Sequence, residues 1–282
     1  MSFLTCGRAA NAARPSFTMQ HNSLAERNGQ PAVEACSEAT ARRICFLSAH
    51  SYCCELDDGA IILELATGAY IGIHAEYLPH LRNSIPNWPD SDKPDQVATD
   101  ATITGSESLI SSLVDRGILT TSPAPKRSNT LPIPVAAMTT GSATEWSGRP
   151  AKHLMQFMMS LWTVSLRLRD DQLASLIGML SQRQRSIRGA QRSPILDDAK
   201  KLLTAFLRLR IWFYTADRRC LFDSLVLAFF LSRKKIPCTF VIGVSTKPFL
   251  AHAWVQIGEF VLNDTAEHVQ TFTPILTVGE SN

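Results

Sequence analysis

Long hydrophobic runs are missing from this sequence. The longest charge-free apolar stretches, residues 153–166 and 224–232, are shorter than the ~20 residues an α-helix needs to cross a bilayer, so no membrane span is expected. A continuous apolar segment near the N-terminus is missing too. Arg8 and Arg14 stand there without the hydrophobic core of a secretory signal. Repeating C-x-x-C spacings are also absent: the seven cysteines at 6, 36, 45, 53, 54, 220 and 238 are odd in number and irregular. That excludes a disulfide scaffold and points to a reducing cytoplasm. No internal repeat is visible. What is present is a chain of 282 residues that is 45% hydrophobic, which rules out wholesale disorder and suffices for one large domain or two ordinary ones.

Charge divides the chain. Residues 50–121 hold 11 acidic against 3 basic side chains, a balance of −8, whereas residues 151–282 hold 17 basic against 10 acidic, a balance of +7. Two domains of opposite sign follow, which either attract one another or meet separate charged partners.

Residues 1–44, rich in Ala, Asn, Ser, Gln and Arg without apolar periodicity, read as a mobile N-terminal segment. From residue 45 to 121 the pattern is that of a small module. Strand-like runs at 51–56, 60–65 and 69–73 are joined by Asp57-Asp58-Gly59 and Ala66-Thr67-Gly68, which makes a three-stranded meander. A short helix over 75–82 and a longer one over 106–115 follow, the second with Leu109, Ile110, Leu113 and Val114 on its apolar face. Gly117 stops it, and 117–121 reads as a wing. The order is that of a winged-helix-like module. Residues 122–150 hold Pro123, Pro125, Pro132, Pro134 and Pro150 among small polar residues, a linker composition. In 151–282, helices are expected over 152–168, 171–183, 196–214 and from about 219, then strands over 238–244, 251–257 and 260–265. The whole is α+β.

Three side chains of the second domain suggest chemistry. Cys220 follows Asp217-Arg218-Arg219 and opens an apolar helical run. A helix N-terminus and neighbouring arginines favour a thiolate, lowering the thiol pKa from its free value of ~8.5. His252 lies in the strand Leu250-Ala251-His252-Ala253-Trp254-Val255-Gln256 and would take the thiol proton and return it to a leaving amine. Asp264, after Phe260-Val261-Leu262-Asn263, would hold the imidazole in one tautomer. A two-residue turn at Gly258-Glu259 would pair His252 with Thr265 and send Asp264 to the other face. The assignment therefore predicts a three-residue loop or a bulge near Gly258, which would set His252 directly across from Asp264.

Cys220-Leu221 opening a helix, then Ala251-His252-Ala253-Trp254-Val255, then Leu262-Asn263-Asp264, resemble the transglutaminase-like cysteine peptidases that mature lasso peptides, the lasso peptide B proteins. The resemblance spans roughly residues 150–275. Ile62-Leu63-Glu64-Leu65-Ala66-Thr67-Gly68-Ala69-Tyr70 is similar to the start of a RiPP recognition element, of the kind of the small chaperone of pyrroloquinoline quinone biosynthesis. The resemblance implies a transglutaminase/papain-like peptidase domain joined to a leader-binding module. Its partners would be a precursor peptide, held by its leader, and an asparagine-synthetase-like lasso cyclase. No cofactor is implied. The leader would add to an edge strand formed by Ala69, Tyr70, Ile71, Gly72 and Ile73. The residue before Cys220 is no oxyanion-donating glutamine, and Asp223 one turn on offsets the arginines.

Other readings carry less. The helix over 106–116 sets Arg116 against Glu107 and Asp115, which would repel phosphate, so nucleic acid is not an expected partner. Zinc is weighed for Cys45, Cys53, Cys54, His50, His74 and His80, but Cys53 and Cys54 are adjacent in a strand and face opposite ways. No metal is expected. His21, His153 and His268 read as surface or packing residues, His268 gaining a role only if His252 is buried. Arg183, Arg185, Arg188 and Arg192 read as a solvated loop, and Met155, Met158, Met159 and Trp162 as packing positions. With the same three side chains, an amine acceptor would make the protein a transglutaminase or acyltransferase. A decayed site would leave a peptide-binding adaptor.

Overall fold

The computed structural model describes residues 44–89, 100–124, 131–139, 150–188, 195–215 and 219–279. The N-terminal segment therefore lies outside the described residues, apart from Ile44. The chain divides near residue 127 into two compact units.

The first unit holds the expected meander: β2 (Ser51–Leu56), β3 (Gly59–Glu64) and β4 (Ala69–His74) form an antiparallel sheet in that order. The register puts Cys53 opposite Ile62 and Ile62 opposite Ile71, so one face presents an apolar row. Against it pack Leu81 of α1 (Leu78–Ser84), Ile85, Trp88, and Leu113 of α2 (Asp100–Asp115). Cys45 and Cys53 belong to this core. Residues 117–121 are not a free wing. β5 (Leu119–Thr120) pairs antiparallel with β1 (Phe46–Leu47), because Asn87 anchors β1 by exchanging two hydrogen bonds with the backbone of Leu47.

A charged side chain is largely buried in this unit. Glu55 accepts hydrogen bonds from Arg82 Nε (2.9 Å) and Trp88 Nε1 (2.7 Å), its side chain 4% exposed. Replacing one partner of a buried ion pair strands the other charge, at a cost of about 3 kcal/mol or more. Arg82→Ala is accordingly expected to lower the denaturation midpoint of this unit, read by tryptophan fluorescence in urea. An unchanged midpoint would show that Trp88 alone satisfies Glu55.

The second unit is a mixed α+β body. α3 (Pro150–Arg169), α4 (Leu173–Arg188), α5 (Ile195–Arg210) and α6 (Cys220–Arg233) accompany a five-stranded sheet. Its strands are β6 (Ala136–Ala137), β7 (Thr239–Thr246), β8 (Phe249–Ile257), β9 (Phe260–Val261) and β10 (Thr273–Val278), in the order β10-β7-β8-β9-β6. Every residue of α6 from Asp223 to Ser232 is buried, as a helix that is apolar all round must be. Phe157 of α3 and Phe206 of α5 pack on Phe230 of α6, and on each other, with edge and tilted ring contacts.

Three expectations change here. The stretch 122–150 is not linker throughout: Ala136 and Ala137 pair in parallel with Phe260 and Val261, which recruits 131–138 into the second unit. Arg183 and Arg185 lie in α4, which runs on to Arg188, rather than in a loop; Arg192 is outside the described residues. Met155, Met158, Met159 and Trp162 are exposed, because α3 buries the opposite face, with Phe157, Ser160 and Val164 turned inward. Among the described residues, no helix is long and apolar enough to cross a membrane.

Candidate active site

Cys220 is the first residue of α6 and is partly exposed. Arg219 ahead of it makes no side-chain cap, so no side chain of the N-cap residue occupies the first-turn amides. Asp223, one turn on, is not a loose acid beside the thiol. It is 2% exposed and accepts from Arg210 Nη1 (3.1 Å), the Tyr214 hydroxyl (3.0 Å) and Asn263 Nδ2 (3.3 Å). Burial, and then the charge of Asp223, push the Tyr214 phenol far above its usual range, so it stays a donor.

Ser224 lies four residues after Cys220, on the same helical face. Its hydroxyl donates to the carbonyl of Ala253 (2.8 Å) and accepts from Asn263 Nδ2 (2.8 Å). The first turn of α6 is thereby fastened to β8 next to His252, and to the segment just before Asp264.

His252 is buried, at 8% exposure, near the middle of β8. Gly243 of β7 stands across from it, and a Cβ there would come within 2.9 Å of the rings and stem of Trp254 and Phe272. These two side chains flank the imidazole, with ring centroids 6.2 and 5.2 Å away. Gly243 is therefore what lets the aromatic packing around His252 close.

His252 Nε2 lies 2.6 Å from Asp264 Oδ2. The contact is made, although the route predicted for it is wrong. Gly258-Glu259 is a two-residue turn with Gly258 at φ 54°, and Ile257 opposes Phe260 in the unbulged register. The expected strand over 260–265 instead ends at Val261. The Leu262 N–H still reaches the Val255 carbonyl (2.9 Å), but the Val255 N–H is taken by Asn263 Oδ1 (2.9 Å), a side chain standing in for the next rung. The chain leaves the ladder at that point, and Asp264 turns back toward His252. The irregularity that the pairing requires lies at 262–264 rather than at Gly258.

A residue set aside in the sequence joins the site. His268, in the short helix α7 (Ala266–Val269), places Nδ1 2.9 Å from the same Oδ2, and its ring lies 4.8 Å from that of His252. Its i, i+4 spacing from Asp264 was the available signal. Asp264 Oδ1 accepts the Thr265 N–H (2.7 Å). Burial raises the Asp264 carboxyl pKa, but hydrogen bonds from His252, His268 and Thr265 outweigh it and hold the group below the usual carboxylate range. This depressed value contributes stability above about pH 4, which is lost as pH falls through the folded-state value. An ionised carboxylate only accepts, so His252 must carry its proton on Nε2. Nδ1 is then the basic nitrogen, and it is buried without a hydrogen-bond partner among the described residues. Donor atoms of His252, Asp264 and His268 all lie within 4.8 Å of one another, close enough to hold a metal ion.

Residues 158–277 match the transglutaminase-like superfamily. The matched stretch takes in α6, β8 and the 262–268 segment, and members of that superfamily are usually cysteine-dependent, acting as peptidases or acyltransferases. Neither a curated protein nor a solved structure matches the chain. In the first unit, Ala69, Tyr70, Ile71, Gly72 and Ile73 form β4, which lies at one edge of its sheet, with Gly72 exposed.

Proposed function

We propose that the chain is a cytoplasmic leader peptidase of lasso peptide maturation, in which Cys220, His252 and Asp264 are the catalytic residues. The observation that carries the reading is the buried His252 whose Nε2 is held by Asp264 while Nδ1 has no partner among the described residues, on the strand fastened to the helix that Cys220 opens. In this reading His252 Nδ1 takes the thiol proton and the sulfur attacks the carbonyl carbon at the leader/core junction. First-turn amides of α6 receive the oxyanion. The same proton then passes to the leaving nitrogen as the C–N bond breaks, freeing the core. Water attacks the remaining thioester, giving the leader a carboxylate and restoring the thiol.

The first unit acts here as a RiPP recognition element of winged-helix-like type. The edge of β4, from Ala69 to Ile73, receives the extended leader by main-chain pairing. An asparagine-synthetase-like cyclase takes the freed core, whose new amino group closes the ring.

The superfamily match supports a second acceptor equally well, an amine in place of water. Mass spectrometry of a precursor peptide incubated with the enzyme and a primary amine decides between them. A leader ending in a carboxylate is the expected product, and a leader ending in an amide of the added amine would move the protein to the acyltransferases.

A further inference from the structure

We propose that His252, Asp264 and His268 form a site for Zn²⁺, and that an ion bound there arrests the enzyme. The donor set is two imidazole nitrogens and one carboxylate oxygen, the combination of three protein ligands that zinc takes when a fourth position is left to water. The donors are already gathered: His252 Nε2 and His268 Nδ1 lie 2.6 and 2.9 Å from one oxygen of Asp264. Tetrahedral zinc wants its ligand atoms roughly 3.3 Å apart, so the carboxylate must recede by about half an ångström. The side chains of Asp264 and His268 are 19% and 44% exposed, which gives an ion a path from solvent and His268 room to adjust. Phe272 packs on both imidazoles and supports their orientation.

Occupation changes the tautomers without releasing a proton. Zinc takes the lone pair at His252 Nε2 and at His268 Nδ1, and the hydrogens these atoms carried move to His252 Nδ1 and His268 Nε2. A ring protonated on Nδ1 is no longer a base toward the Cys220 thiol. This second step rests on the peptidase reading above, whereas the binding step does not.

The test therefore begins on protein that cannot react. Full-length Cys220→Ala, titrated with ZnCl₂ in a calorimeter, is expected to bind one ion, because the thiol is no part of the site. Adding His268→Ala or, to guard against misfolding, His268→Gln is expected to weaken binding by at least the roughly 100-fold that loss of even an outer-shell partner can cost. Binding unaffected by both substitutions would place the ion on other residues and overturn the site. On the active enzyme, zinc is expected to stop precursor cleavage, with the half-inhibiting concentration rising in His268→Gln by a comparable factor. Zinc-stimulated cleavage would overturn the inhibitory role. If metal-free enzyme cleaves nothing while calorimetry still shows the His268-dependent ion, the peptidase reading fails and the site stands.

Discussion

Cys220→Ala and His252→Ala are each expected to lower precursor cleavage on the order of 10⁴-fold or more, and the double variant to lose no more than the worse single one. The lack of additivity is the informative part. A thiol without its base and a base without its thiol are equally unable to start the reaction, so the second deletion removes nothing that the first left working. Losses that multiply would mean that the two residues act in separate steps. Cleavage untouched by Cys220→Ala would leave the protein as a peptide-binding adaptor. His252 is buried among Trp254, Phe272 and His268, so its removal also opens a cavity. Cys220 is at a helix terminus and only partly buried, so its variant separates loss of chemistry from loss of fold.

The elements were legible in the sequence wherever a local signal stands alone. The alternation in 51–74, with turn residues between the runs, specifies the meander to within a residue or two of β2, β3 and β4. The apolar run from Leu225 to Leu231 similarly marks a helix buried on all sides. What escaped the sequence depends on side chains replacing backbone. No period announces that Asn263 Oδ1 will take the Val255 N–H and end β9 after two residues. A rule that pairs residues by number therefore located the necessary irregularity at Gly258, four residues too early. Ala136 and Ala137 were hidden for a related reason: a two-residue strand between prolines has no pattern of its own, and only Phe260 and Val261 make it one. His268 resembled a surface histidine because it is one by exposure; what recruits it is Asp264, once the chain has turned back.

Asp264→Asn is expected to cost about 10⁴-fold in kcat while leaving KM nearly unchanged, the size of effect that follows from holding a catalytic imidazole in the wrong tautomer. The direction comes from the partners of the two carboxylate oxygens. Oδ1 is committed to the Thr265 N–H at 2.7 Å, which requires an acceptor. An asparagine in this position must therefore keep its oxygen toward Thr265 and present its NH₂ where Oδ2 stood, facing His252 Nε2 and His268 Nδ1. Both of those nitrogens become acceptors of a donor, so the His252 proton moves to Nδ1 and the base toward Cys220 is lost. The reversed amide would confront the Thr265 N–H with a second donor and leave both unsatisfied. Asp264→Ala lacks this enforced tautomer, because neither nitrogen then meets a donor. It is expected to retain more activity than the asparagine variant even though it deletes more atoms. Stopped-flow cleavage assays with heteronuclear NMR of the His252 ring nitrogens check both parts, and an asparagine variant whose Nδ1 stays unprotonated would refute the account of how Asp264 works.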